Sequence, residues 1–237
     1  MRGVPDERPA PGSPFWALDV LARSEENNAC RDLVGFDAAL AAQSFGLIAG
    51  VDEAGRGPWA GPVVAAAVIL PWGCSLPGID DSKKLTPQKR SACFGQILSQ
   101  ALAVGVGMSD PAVIDKINIL QATFRAMGFA LCSLREKPGL IIVDGNKKIP
   151  RLPAKFTGVP QRSIVKGDGL SQSIAAASIV AKCFRDSLME GYDLLYPGYG
   201  FVRHKGYGTK EHQKALAQLG PCLIHRKSYA PVKAFLS

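Results

Sequence analysis

Apolar residues in this chain come in short bounded runs, and the polar breaks between them carry turn and cap signals. Leu47-Ile48-Ala49-Gly50-Val51 and the run 63–70 flank a Gly/Pro-rich bend, which predicts buried strands over about 46–52 and 63–70 with a short connection. Thr86-Pro87 reads as an N-cap followed by a proline in the first turn, opening a helix to about Leu102. A third short strand is predicted over 104–108. Ser109 or Asp110 before Pro111 repeats the cap-plus-proline signal and opens a helical region to about Leu134, broken near Ile117. The continuous apolar run 139–145 has the character of a central strand. A shorter strand at 163–166 and an alanine-rich helix at 171–195 follow. Three adjacent strands, then strands alternating with helices, predict a mixed α/β sheet whose later strands are parallel. Ahead of this pattern, residues 1–14 are rich in Pro, Gly and charge and are expected to be disordered. Residues 15–43 place Phe15, Leu18, Leu21 and Ala22 at helical spacing. The chain therefore divides into an N-terminal extension, 1–44, and a main domain, 45–237.

Composition removes several classes. The longest apolar runs, 63–70 and 174–181, fall well short of the ~18 residues that a membrane span needs, so no membrane partner is expected. The amino terminus does not read as a secretory leader, because Asp6 and Glu7 stand beside Arg8 and Asp19 interrupts the run 15–22. Six scattered cysteines with no close Cys-x-x-Cys pair fit free thiols in a reducing cytoplasm, the expected location. His204, His212 and His225 have no tight ligand spacing, so zinc is not expected. The net charge of +8 is uneven: residues 1–146 hold 13 basic and 15 acidic residues, whereas 147–237 hold 15 basic and 5 acidic. A polyanion is the natural partner for such a carboxyl-terminal half, and nucleic acid is the commonest one.

Four acids fall at ends of predicted strands: Asp52 and Glu53 at the first, Asp144 at the fourth, Asp168 just past the fifth. Adjacent carboxylates at the inner end of a buried strand are costly, since desolvated acids raise one another's pKa. A divalent cation with oxygen ligands would offset that cost. On spacing alone, a solvated strand end with its acids facing water serves equally well. The joint pattern, with basic residues nearby, has the composition of a two-metal phosphodiesterase site using Mg²⁺ or Mn²⁺.

Six motifs in order then resemble bacterial ribonuclease HII. They are Asp52-Glu53-Ala54-Gly55-Arg56-Gly57-Pro58, Asp81-Ser82-Lys83, Val143-Asp144-Gly145, Lys166-Gly167-Asp168, the run from Ala175 to Lys182, and His204-Lys205-Gly206-Tyr207. The resemblance covers the chain from about Phe45 onward. The Gly-Arg-Gly turn separates it from the related ribonuclease HIII. It implies a ribonuclease-H-like mixed five-stranded sheet of order 3-2-1-4-5, flanked by helices and followed by a helical C-terminal part. It implies cleavage of the RNA strand of RNA–DNA hybrids and incision 5′ of single ribonucleotides in duplex DNA, leaving 3′-OH and 5′-phosphate ends, as in ribonucleotide excision repair.

By the same resemblance, Asp52 bridges two Mn²⁺ or Mg²⁺ ions, Glu53 and Asp144 complete one, and Asp168 completes the other. Gly55-Arg56-Gly57 approaches the ribose through its backbone, and Tyr207 stacks on the sugar at the RNA–DNA junction. A site built to bond a hydroxyl can reject the deoxy analogue by roughly 10⁴-fold. Lys83, Ser178 and Lys182 are candidates for phosphate contacts, the last two sharing a helix face by their spacing of four. Arg203, His204, Lys205, Lys210 and Arg226-Lys227 are expected to form a wider basic face. The resemblance implies a monomer, and Phe235-Leu236-Ser237 shows no clamp-binding peptide.

Overall fold

Strand β1, Ile48–Ala54, is the centre of the fold because neighbours on both sides leave its backbone no edge. The structure is a computed structural model that describes residues 33–79 and 85–236. The expected disordered segment 1–14, the helical reading of 15–32 and the Asp81-Ser82-Lys83 turn lie outside those residues. β2 (Val63–Ile69) pairs antiparallel with β1, and β3 (Ala103–Ser109) antiparallel with β2. On the other side β4 (Leu140–Asp144) lies parallel to β1, and β5 (Gln161–Ile164) parallel to β4. The order is therefore 3-2-1-4-5, three antiparallel strands and two parallel additions, as the resemblance implied.

Strand β2 is buried along its whole length, and its alternation shows why. Val63, Ala65, Ala67 and Ile69 enter one apolar cluster, whereas Ala66 and Val68 enter another. The first cluster includes Ala122, Ala126, Ala130 and Leu131 of α4, Ile119–Cys132; the second includes Ala175 to Ala177 of α5, Gln172–Leu195. Small residues set both approaches. A Cβ on Gly107 would lie 2.3 Å from the Ala126 carbonyl oxygen, and one on Gly50 would lie 2.2 Å from the Ser173 backbone. Gly105, on the same strand as Gly107, is as close, a Cβ there lying 2.0 Å from the Ala130 carbonyl oxygen, so these glycines are contact surfaces.

Of the two cap-plus-proline signals, Thr86 caps through its side chain, whereas Asp110 stands at the N-cap before Pro111 without a side-chain cap bond. Thr86 accepts from the Lys89 N–H at 3.3 Å and opens α2, Pro87–Gln100. The predicted break near Ile117 is Asn118, which ends α3 (Pro111–Ile117) at φ 66° and caps α4 by accepting from Gln121 at 3.1 Å. Strand β5 begins two residues earlier than predicted and stops at Ile164. Lys166 is left-handed at φ 56°, and Gly167–Gly169 form a tight helical turn instead. Ahead of the sheet, α1 (Leu33–Leu40) brings Asp37 to the start of α5, where its carboxylate accepts from Ser173 N and Oγ at 2.8 and 2.7 Å. Three short helices follow α5: α6 (Phe201–His204), α7 (Lys210–Leu219) and α8 (Ala230–Lys233). The first two contribute Phe201 and Ala215 to a separate apolar cluster that also includes Ala60, Met189 and Ile224.

Candidate active site

Parallel pairing brings the acids together. Val51 stands opposite Val143 in the β1–β4 ladder, so the next residues, Asp52 and Asp144, emerge side by side at the strand ends. Asp52 is only 5 % exposed. Burial, followed by the nearby charges of Glu53 and Asp144, pushes its carboxyl well above the ordinary carboxylate range. Two contacts work the other way: a hydrogen bond from Ser178 on α5, and the Glu53 N–H, 2.7 Å from Oδ1. Glu53 is also met by the Arg56 guanidinium at 3.2 Å. Asp144 accepts from the Gly167 N–H at 2.7 Å. A Cβ on Gly167 would lie 2.6 Å from Ile174 Cδ1 and 3.3 Å from Asp144 Oδ1, so a side chain there would crowd this contact.

These residues line a cleft of about 250 Å³ together with Ala54, Gly55, Arg56, Gly57, Lys182, Arg185 and Tyr207. A neighbouring hollow of about 170 Å³, edged by Phe124, Asn146 and Lys147, shares Glu53, Arg56 and Asp144. Asp168 is buried in the Gly167–Gly169 turn beside Asp144's partner and does not line the cleft. Lys83 lies outside the described residues. Ser178 and Lys182 face the cleft from one side of α5, as their spacing predicted; the Lys182 ammonium is held by Asp186 at 2.7 Å. Among the described residues no three His, Cys, Asp or Glu side chains are gathered into a preformed metal cage.

Glycines 55 and 57 differ in kind. Gly55 has φ +95°, and a Cβ there would lie 2.1 Å from Arg185 Nε, so the protein itself demands glycine. At Gly57 the nearest atom to a Cβ would be Tyr207 Cε1 at 3.8 Å, an ordinary contact. The fold makes no such demand there, and the space lies between the turn and the half-exposed Tyr207 ring.

Sequence reasoning missed what stands behind the turn. Arg185 is buried and donates to the carbonyls of Ala60, Pro62 and Lys205, each at 3.0 Å. Its position three residues beyond Lys182, on the same helix face, was the available signal. The expectation that Arg226 and His204 belong to a basic surface is corrected: both are buried. Arg226 donates to backbone carbonyls, and His204 packs face to face with His212, ring centroids 4.5 Å apart. Arg203, paired with Glu211, stays exposed with Lys210 and Lys227, whereas Lys205 is half-buried and paired with Glu190.

The His cluster supports Tyr207. Cys222 N–H donates to His225 Nδ1 at 2.9 Å, so His225 Nε2 carries the proton and donates to His212 Nε2 at 3.1 Å. His212 then donates from Nδ1 to the Tyr207 carbonyl at 3.0 Å. Burial lowers the pKa of both His212 and His225 to about 4, which keeps this chain of neutral rings intact.

Comparison with known proteins agrees with this geometry. The family model for Ribonuclease HII matches residues 49–232. A Ribonuclease HII from Geotalea daltonii is 58 % identical over 201 residues, 85 % of this chain and 90 % of that protein. Among solved structures, the ribonuclease H2 from Pyrococcus horikoshii OT3 superposes with a TM-score of 0.62 at 28 % identity, covering 80 % of this chain and 96 % of that one. Bst-RNase HIII in complex with Mn²⁺ has the same fold, with a TM-score of 0.62 at 21 % identity over 84 % of this chain and 72 % of its own.

Proposed function

Because the chain belongs to the ribonuclease HII family and is thereby a ribonuclease-H-type endoribonuclease acting on RNA–DNA, we propose that it also incises duplex DNA 5′ of a single embedded ribonucleotide, using two divalent ions and leaving 3′-OH and 5′-phosphate ends. One observation carries the reading: the acids of β1 and β4 share a single cleft with the Gly55–Gly57 turn and Tyr207. That shared cleft supports reading chemistry and sugar recognition at one nucleotide.

The donor set fits Mg²⁺ or Mn²⁺. It is all oxygen, and Asp52 is a buried carboxyl whose charge is opposed by two others, which a cation would relieve. An open set of acids suits ions that complete their shells with water and phosphate oxygens, as Mg²⁺ does in phosphate-handling sites. Asp52 would hold both ions, Glu53 and Asp144 one of them, and Asp168 the other. Bound there, the ions supply positive charge to the attacking water and to the leaving oxygen.

The chain's own residues orient and select. Ser178 and the Glu53 N–H fix the Asp52 carboxylate, and Gly167 fixes Asp144, so neither must reorganise when substrate arrives. Lys182 is poised to exchange Asp186 for a backbone phosphate. The open space at Gly57 admits a sugar that any side chain there would crowd. Tyr207, 45 % exposed, offers its ring to that sugar. The proposed setting is ribonucleotide excision repair in the cytoplasm, by a monomer. None of the described helices is long and apolar enough to cross a membrane.

The test is a labelled duplex with one ribonucleotide, incubated with Mg²⁺ or Mn²⁺ beside an all-DNA control. A single cut 5′ of the ribonucleotide is expected. Cleavage of long hybrids alone would leave the fold and acids standing and remove the sugar-reading roles of Tyr207 and the Gly55–Gly57 turn.

A further inference from the structure

Arg226 is fully buried, and its guanidinium donates to backbone carbonyls and to the Tyr229 hydroxyl. Its fork reaches the Gly61 carbonyl at 3.0 and 2.8 Å, the Gly55 carbonyl at 2.5 Å and the Arg56 carbonyl at 2.9 Å. Tyr229 joins it, donating its hydroxyl to the same Arg56 carbonyl at 2.6 Å and accepting from Arg226 Nη1 at 3.0 Å. The peptide group is planar and trans, so a C=O and the N–H of the following residue point in opposite directions. Holding the Gly55 and Arg56 carbonyls inward therefore turns the N–H groups of Arg56 and Gly57 away from the buried side, where the cleft lies. Neither N–H is taken by another backbone carbonyl among the described residues.

We infer that Arg226 and Tyr229 are positioning residues for ribose selection: they aim two backbone donors of the reading turn without touching substrate. The inference rests on the reading of Gly55–Gly57 as the sugar-sensing turn. It follows from fork geometry, since a lysine would keep the charge but could not hold three carbonyls in fixed directions. Selection should suffer more than general cleavage. A long hybrid offers a 2′-hydroxyl at every register and binds mainly through phosphates, whereas a lone ribonucleotide offers one.

The experiment compares Tyr229→Phe and Arg226→Lys with the unaltered chain on two substrates, a single-ribonucleotide duplex and a long RNA–DNA hybrid, with thermal unfolding of each protein. For Tyr229→Phe, kcat on the single ribonucleotide is expected to fall about tenfold, the worth of one misdirected hydrogen bond. KM should stay near its original value, and hybrid cleavage should fall by about threefold or less. Arg226→Lys should act in the same direction and more strongly; if it fails to fold, Tyr229→Phe alone decides. Equal losses on both substrates, or none on either from Tyr229→Phe, would overturn the inference while the sugar-reading turn stands. An unaltered chain that cuts hybrids but not single ribonucleotides would instead remove that reading, and the inference with it.

Discussion

On the sheet side of the cleft, Asp52, Glu53 and Asp144 crowd negative charge at strand ends, and Asp52 is buried with its carboxyl pushed upward. On the carboxyl-terminal side, Arg185 and Arg226 are buried with their donors spent on carbonyl oxygens. The first wall is left under electrostatic stress that a cation from outside would relieve. The second is satisfied internally, its positive charges spread over backbone dipoles that they hold in place. One wall is built to react and the other to stay still, and the difference shows in which perturbation each should tolerate.

The largest effect expected is on the first wall. Asp144→Asn should lower cleavage by more than about 10³-fold while substrate binding persists or tightens, because a negative charge near phosphates is removed. Cleavage assays and equilibrium binding on the same protein check this, and retained activity would break the assignment of chemistry to the strand ends. On the second wall, Arg226→Met should destabilise by about 3 kcal/mol, since several buried carbonyls lose their partner at once. In a domain of this size that is a Tm lower by about 6–12 °C. Tyr207→Ala should reduce single-ribonucleotide incision about tenfold more than hybrid cleavage, read from kcat/KM on the two substrates.

Smaller effects sharpen the contrast through pH. The folded protein holds the Asp52 proton more tightly than the unfolded chain does, so this group disfavours folding above the ordinary carboxylate range. Asp52→Asn should therefore raise the Tm of the metal-free protein at neutral pH, read by thermal unfolding, while abolishing cleavage. His212 and His225 have the opposite sign. Their folded pKa of about 4 lies below the ordinary 6.5, so the stability they confer is present above about pH 6.5 and is lost as pH falls toward 4. Melting curves from pH 4 to 8 should show an acid-side decline that His212→Gln flattens.

How much of this was legible depends on the range of the interaction. Strand runs, the Thr86 and Asn118 breaks and the Ser178–Lys182 face are set by neighbours within a turn, and they stood in the sequence. The side-by-side placement of Asp52 and Asp144 needed only the expected parallel pairing. Arg226 had no local signature, because beside Lys227 it reads as surface charge, and its partners lie as far as 171 residues away. The three histidines failed the test for ligand spacing and yet meet in one cluster, since the backbone between 204 and 225 folds back on itself. The helical reading of 15–43 could not foresee that Asp37 would help cap α5, a contact across 136 positions.

The Arg226–Gly55 contact also bears on the order in which the molecule is made. By the time a ribosome has synthesised residue 170, every strand of the sheet and all four acids exist, and domains tend to consolidate from the amino-terminal side. The guanidinium that holds the Gly55 carbonyl arrives some fifty residues later and must close a very long loop. On the proposed reading of that turn, discernment would be the last property the chain acquires, its acids being made before the contact that lets it tell one sugar from another.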